Sequence, residues 1–284
     1  MMRNPARRSG ANIIKDRLGT AVVWSSGILV MGVLLAIISV VLARGLPFIS
    51  LEFLTQAPQK MGREGGIFPM IVGTFLLALV AVPLATVLGV GAAVYLAEYT
   101  VENRLTRLVR SGTEILAGVP SIIFGLFGFV LFVVKLGFGW SVVSGGLTLA
   151  FMTLPTIIRT SEESLHAVPR IYREISYALG AGKWQTIRKV VLPTAGQGIL
   201  TGVMLALGRA VAETAAVIFT AGSSLRLPAG PFDPVRTMAV HFYILAREGI
   251  SMERAYATAA ALIILILVVN SLALVLMRRY RARF

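Results

Sequence analysis

Apolar residues run along this chain in long blocks, and charges fall in the short stretches between them. A helix needs about 20 apolar residues to cross the hydrocarbon core of a bilayer. Residues 18–43 are free of charge between Arg17 and Arg44, and residues 65–97 between Glu64 and Glu98, the latter longer than one crossing needs. Residues 115–134 lie between Glu114 and Lys135. Residues 136–158 lie between Lys135 and Arg159 and open on a Gly137-Phe138-Gly139-Trp140 turn. Residues 190–208 are followed by Arg209 and a mostly apolar stretch to Gly222. Residues 255–277 end on Arg278 and Arg279. The pattern predicts an all-α polytopic membrane protein with six transmembrane helices. The first run is too long for the apolar core of a signal peptide and no A-x-A-type cleavage site follows it, so it reads as a retained helix.

Composition narrows the function classes. Hydrophobic residues make up 56% of the 284 and charged residues 14%, a balance that a soluble globule of this size could not bury. With no cysteine, disulfide scaffolds, thiolate metal sites and cysteine nucleophiles are excluded, and the two histidines, His166 and His241, are a poor start for a metal site. The net charge of +14 follows the loops. Counting alternate sides from the N-terminus, 18 Lys and Arg fall on the side of both termini, eight on the other, and Arg209 within a span. That bias predicts cytoplasmic N- and C-termini and explains the charge without nucleic acid. The expected organisation is a cytoplasmic tail at 1–17, a permease domain at 18–277 and a cytoplasmic tail at 278–284. Within the domain, a charged cytoplasmic loop covers about 159–193 and an outward loop about 222–253. Residues 238–245 in the outward loop fit either an interfacial helix or a helix packed on neighbouring spans.

No complete nucleotide site is present. Trp184 follows Gly182-Lys183 where a phosphate loop needs Ser or Thr, and Tyr177 stands where its first glycine belongs. Gly89-Val90-Gly91 has no third glycine and lies in an apolar span, where it reads as close helix packing. Ser144-Gly145 has no histidine within a span to serve it as base. No catalytic residue is expected.

Residues 174–193 read Glu-Ile-Ser-Tyr-Ala-Leu-Gly-Ala-Gly-Lys-Trp-Gln-Thr-Ile-Arg-Lys-Val-Val-Leu-Pro. Glu174 to Leu179 favours helix, and Gly180 with Gly182 gives a sharp turn at a helix C-terminus. Helix then resumes with Trp184, Ile187 and Val191 expected on one face, and Pro193 bounds the next element. Such a rigid elbow can dock into a groove of another protein. The segment resembles the EAA loop of ABC importer permeases: Glu174, Gly180, Leu192 and Pro193 fit its pattern, while Ile175 and Ser176 replace its two alanines. Residues 65–74, 93–99, 117–128 (Ala-Gly-Val-Pro-Ser-Ile-Ile-Phe-Gly-Leu-Phe-Gly) and 208–215 (Gly-Arg-Ala-Val-Ala-Glu-Thr-Ala) are similar to the phosphate branch of that family, most closely its PstA-type subunits.

The resemblance implies a type I importer permease architecture and one transmembrane subunit of a phosphate importer in a bacterial cytoplasmic (inner) membrane. It implies a homologous PstC-type permease as partner, two copies of an ATP-binding subunit that hold the ATP and magnesium, and an extracytoplasmic phosphate-binding protein. It assigns ATPase coupling to the loop carrying Glu174, Gly180, Ala181, Ile187, Leu192 and Pro193. No cofactor is expected in this chain itself.

Arg209 and Glu213 need explaining on physical grounds. A helix over about 197–221 would put Arg209 some 18 Å from either end, near the midplane. An arginine there costs roughly 2.5–3.5 kcal/mol on the insertion scale, so it should face the bundle interior or water. Four residues apart on a continuous helix, the two would share one face. A guanidinium fork matches phosphate oxygens, and Glu213 could hold it when the site is empty. The other reading is a static pair that fixes packing. The phosphate branch places essential Arg and Glu at these positions. Arg159 is a further candidate, though the positive-inside rule alone accounts for it. Ser121 could donate to a phosphate oxygen or simply permit close packing. An Arg–Glu pair does not by itself tell phosphate from sulfate or molybdate, and the PstC-type mate shares several motifs. A stand-alone ion-coupled transporter would need intramembrane acids and a repeat; Glu213 is the one mid-span acid, and no repeat is evident.

Overall fold

The computed structural model describes residues 10–281, with side chains described over 16–275. Residues 1–9 and 282–284 of the two predicted tails lie outside these residues. The chain is almost entirely helical, as the charge-free runs predict. Helix α1, Gly10–Gly45, leads through a short 3-10 turn to α2, Leu51–Thr55, and a two-residue hairpin of β1, Pro58–Gln59, and β2, Glu64–Gly65. Helix α3, Phe68–Val94, carries Pro83 within it and continues as a π-helical turn over Tyr95–Tyr99.

The third expected span is bent. Helix α4, Arg104–Ala117, and the following α5, Ser121–Gly128, with its π-helical continuation Phe129–Lys135, meet at 102°. Gly118 ends α4, and Pro120, with no N–H and an extended backbone (ψ 139°), cannot carry the helix onward. Residues 115–117, expected inside the membrane, therefore belong to α4. Thr106, Arg110 and Thr113 turn toward the protein, where Arg110 pairs with Glu162 at 2.7 Å, while Leu105, Leu108 and Ile115 are exposed.

The fourth span also shifts. Helix α6, Val142–His166, starts after the glycine turn, with Ser141 capping Ser144 N–H at 3.1 Å, and runs two turns past Arg159. An ion pair from Arg159 to Glu163 at 3.0 Å lies along that extension, which hydropathy alone would assign to a loop. The elbow follows as α7, Arg170–Ala178, and α8, Lys183–Thr186. A π-helical turn over Ile187–Val191 joins α8 to α9, Leu192–Ala212. Helices α10, Ala215–Thr220, α11, Met238–Arg247, and α12, Met252–Arg281, complete the chain. Among the described residues, five helices are long and apolar enough to cross a membrane alone; the bent pair raises this to six.

Small residues let the central helices approach closely. Leu77, Ala81 and Ala85 of α3 meet Leu149, Met152 and Ile157 of α6 and Ala206 and Ala210 of α9 in one buried cluster. By contrast α1 is exposed along nearly its whole length. It touches the bundle near Gly45, where Arg44 stacks on Tyr256 of α12 at 5.4 Å from the ring centre. Helix α11 is packed rather than interfacial: Met238, Ala239, Val240, His241 and Leu245 are buried, and Met238 N–H donates to Thr74 Oγ1 of α3 at 3.0 Å.

Candidate functional site

Two regions collect the residues singled out from the sequence, one halfway along the bundle and one at the elbow. Helix α9 packs antiparallel on α6, with Gly202 against Thr160 and Gly198 against Ser164, while beyond α10 Ala221 meets Gly145. Interpolating between these contacts puts Arg209 level with about residue 154, the midpoint of α6.

The expected shared face with Glu213 does not hold. The helix ends at Ala212, and Glu213 is extended (φ −73°, ψ 134°). A residue with that ψ breaks the i, i+4 register, so Arg209 and Glu213 lie on separate elements. No Gly or Pro marks this break. The glutamate makes it tolerable: its Oε1 accepts from Thr214 N–H at 3.2 Å and Ala216 N–H at 3.3 Å, two of the donors that a helix start leaves without partners. Arg209, in the last turn of α9, is half-buried, and its guanidinium makes no hydrogen bond or ion pair among the described residues. The arrangement is a half-buried cation at mid-height beside an interrupted span, the type of backbone that lines cavities rather than lipid.

Ser121, half-buried, is the first residue of α5. That helix runs alongside α10, where Gly125 lies against Ala216 and Gly128 against Thr148 and Thr220. The start of α5 therefore points back toward the break at 213–214. Arg159 stands apart: its side chain is 61% exposed and occupied by Glu163.

At the elbow, Gly180 takes φ +80°, a left-handed conformation that suits glycine, with open space where a Cβ would be. Its N–H donates to Tyr177 O at 2.9 Å and Ala181 N–H to Ser176 O at 3.1 Å, closing the end of α7. Buried Ser176 and Thr186 share a hydrogen bond of 2.8 Å that clamps α7 to α8. Ile187 and Val191 are fully buried against Ala93, Leu165, Val168 and Ala195. Trp184, expected on the same face, is 59% exposed instead. Trp184 lies in the four-residue α8, ahead of the π-helical turn that carries Ile187 and Val191 into the cluster. Glu174 is exposed, Ala181, Leu192 and Pro193 are half-buried, and Ile171, Ile175 and Leu179 leave an apolar surface on the elbow.

Sequence reasoning missed two further clusters. Arg173 of α7 pairs with Glu98 at 2.6 Å, across 75 residues of sequence. In the segment between α10 and α11, the buried Arg236 donates to Ser223 O at 3.0 Å and to His241 Nδ1 of α11 at 3.3 Å. Arginine can only donate, so Nδ1 accepts and the imidazole is neutral. Burial first, then the Arg236 charge, pushes the His241 pKa down to about 3, and burial also lowers that of Arg236. Neither cluster has a local spacing signal that could have revealed it.

Residues 85–283 match the family described as binding-protein-dependent transport system inner membrane component. The probable ABC transporter permease protein YqgI of Bacillus subtilis is 32% identical over 273 residues, covering 90% of this chain and 93% of that one. The phosphate transport system permease protein PstA of Mycobacterium leprae is 34% identical over 264 residues, covering 90% and 86%. The PstA 1 protein of Mycobacterium tuberculosis is 38% identical over 215 residues, covering 74% and 70%. Among solved structures, a bacterial ABC transporter involved in import of the acidic polysaccharide alginate aligns with a TM-score of 0.65 at 15% identity, covering 95% of this chain and 98% of that one. The MetNI methionine ABC transporter in an inward-facing conformation gives 0.65 at 20% identity, covering 75% and 95%. These two likenesses speak to the fold alone. With a family match over most of its length, and with relatives of this identity spanning it, the chain belongs to the inner membrane components of binding-protein-dependent transport systems, the permease subunits of ABC importers.

Proposed function

We propose that this chain is a PstA-type transmembrane subunit of an ATP-driven importer of inorganic phosphate, forming half of the translocation path beside a homologous permease. The observation that carries the reading is Arg209: a half-buried guanidinium halfway along the bundle with no carboxylate or hydrogen-bonding partner among the described residues. An uncompensated cation at that depth is costly unless it meets an anion or water. Phosphate offers oxygens that a planar fork binds two at a time. Glu213 keeps the adjacent backbone break open by capping α10. Relatives named as phosphate transport permeases support the choice of anion.

The elbow would seat in separate ATPase subunits, presenting Ile171, Ile175 and Leu179 from α7 and the exposed Trp184 from α8. ATP closure would move it and switch the path between inward and outward access, while an extracytoplasmic binding protein delivers phosphate to the outward loop. Both termini would be cytoplasmic.

Uptake of radiolabelled phosphate by cells lacking this chain, with sulfate uptake as control, tests the reading. Phosphate uptake should fall and return on complementation, and sulfate uptake should not change. The opposite selectivity would assign the same path to a related oxyanion, whose geometry the guanidinium fork also fits.

A further inference from the structure

The elbow is fastened to the bundle in an uneven way. Of the nine residues of α7, seven are exposed; only Arg173 and Ser176 turn inward. Ser176 holds the neighbouring α8 through Thr186. Arg173 is the α7 side chain that hydrogen-bonds to the ends of both α3 and α6. Its Nη2 donates to Glu98 Oε1 at 2.6 Å and its Nε to the same oxygen at 3.1 Å. Its remaining donors close the end of α6: Nη2 to Leu165 O and Nη1 to Val168 O, both at 2.9 Å. One guanidinium thus joins α7, the π-helical end of α3 and the C-terminus of α6. A polar cavity of about 440 Å³, lined among others by Ala97, His166, Arg170 and Glu174, opens beside the pair.

Burial sets this pair apart from the exposed pair at the same rim, while the pair of Arg110 and Glu162 lies between them at 31% and 13% side-chain exposure. Side-chain exposure is 18% for Arg173 and 7% for Glu98, against 61% and 66% for Arg159 and Glu163. Exposed pairs contribute little and tolerate many geometries. A buried pair is favourable only when its geometry is well satisfied, and losing one partner strands the other. Arg173 and Glu98 therefore hold a defined distance where Arg159 and Glu163 do not.

We infer that Arg173 and Glu98 form the strut that ties α7 to the end of α3, so that movement of the elbow carries α3 along with α6, the two helices most closely packed at the centre of the bundle. The inference rests on the elbow being the ATPase contact. Pulling on α7 loads Arg173, which moves the ends of α3 and α6 together. Without the strut, α7 stays joined to α6 through residues 167–169 and to α8 through Ser176, and Ile187, Val191 and Lys183 still meet the bundle, but the direct polar tie between α7 and the end of α3 is gone and movement of the elbow reaches α3 less faithfully. Arg173 is a positioning residue: it touches neither the transported anion nor ATP.

The test uses the complete transporter, reconstituted with its partner permease, ATPase and binding protein, reading ATP hydrolysis and radiolabelled phosphate uptake per assembled complex. Arg173→Ala should keep the ATPase bound and hydrolysing within about twofold of the unaltered complex, while phosphate moved per ATP falls about tenfold. Glu98→Gln, which leaves both carbonyl bonds of Arg173 in place, should give a smaller loss in the same ratio. The double variant Arg173→Ala/Glu98→Ala should be no worse than Arg173→Ala, because both changes remove one connection. If Arg173→Ala does not assemble, Glu98→Gln decides by the same ratio. An unchanged ratio in the assembled variants would overturn the strut. Failure of the underlying coupling reading would show already in the unaltered complex, as hydrolysis without transport or no ATPase bound.

Discussion

Gly202 lies against Thr160, so close that a Cβ on the glycine would come within 2.8 Å of the threonine Cβ. This contact fixes how α9 slides along α6, and with it the height of Arg209. Gly202→Val should push the helices apart, costing roughly 1–3 kcal/mol as overpacking does. Thermal unfolding of purified protein in detergent checks this. Gly208→Ala, one turn and a half along the same helix with nothing within 4 Å of the added carbon, should unfold close to the unaltered protein. Equal losses in both would mean that the α6–α9 contact does not set the packing.

Gly180 makes a separate prediction, because its space is open and only its backbone is special (φ +80°). A β-branched residue pays most in that conformation and asparagine least. Gly180→Val should therefore strain the elbow by about 1–2 kcal/mol and lower uptake, whereas Gly180→Asn should retain most of it. Uptake normalised to assembled complex distinguishes the two. Identical uptake in both variants would remove backbone geometry as the reason for glycine.

Glu213 caps α10 through one carboxylate oxygen. Glutamine keeps an acceptor there and alanine does not. The amount of folded protein should be near normal in Glu213→Gln, and stability should drop by about 1 kcal/mol in Glu213→Ala, as for loss of a helix cap. Equal destabilisation in both would show that charge, not capping, holds the break.

The packing of α11 should be acid-sensitive through His241. Its folded pKa is pushed down to about 3, while an unfolded histidine titrates near 6.5. Below 6.5 the unfolded chain gains a proton that the folded chain refuses, so stability present at neutral pH is lost progressively down to about pH 3. The slope is at most about 1.4 kcal/mol per pH unit. His241→Gln should flatten the fall in unfolding temperature between pH 7.5 and 5.5. A variant as acid-sensitive as the unaltered protein would place the titrating group elsewhere.

Charge-free runs located α3, α6, α9 and α12 because a bilayer demands length and apolarity, and both are read directly along a chain. They could not show direction: Gly118 and Pro120 sit inside an apolar run that counts as a single span yet turns through 102°. Nor do they mark the break after Ala212, which no Gly or Pro announces and which Glu213 stabilises with its own side chain. The turn at Gly180 was legible because left-handed backbone selects glycine locally. The Arg173–Glu98 pair was not, because a contact across 75 residues leaves no periodic trace and each residue alone reads as a loop charge.

The central claim is that Arg209 meets the transported anion. Arg209→Gln keeps length and polarity and removes only the cation, so phosphate uptake normalised to assembled complex is the most direct measurement. The account predicts normal assembly with uptake nearly abolished, and partial recovery in Arg209→Lys, whose ammonium lacks the two-pronged fork. Full normalised uptake by Arg209→Gln would contradict it and leave the arginine a packing role at the end of α9.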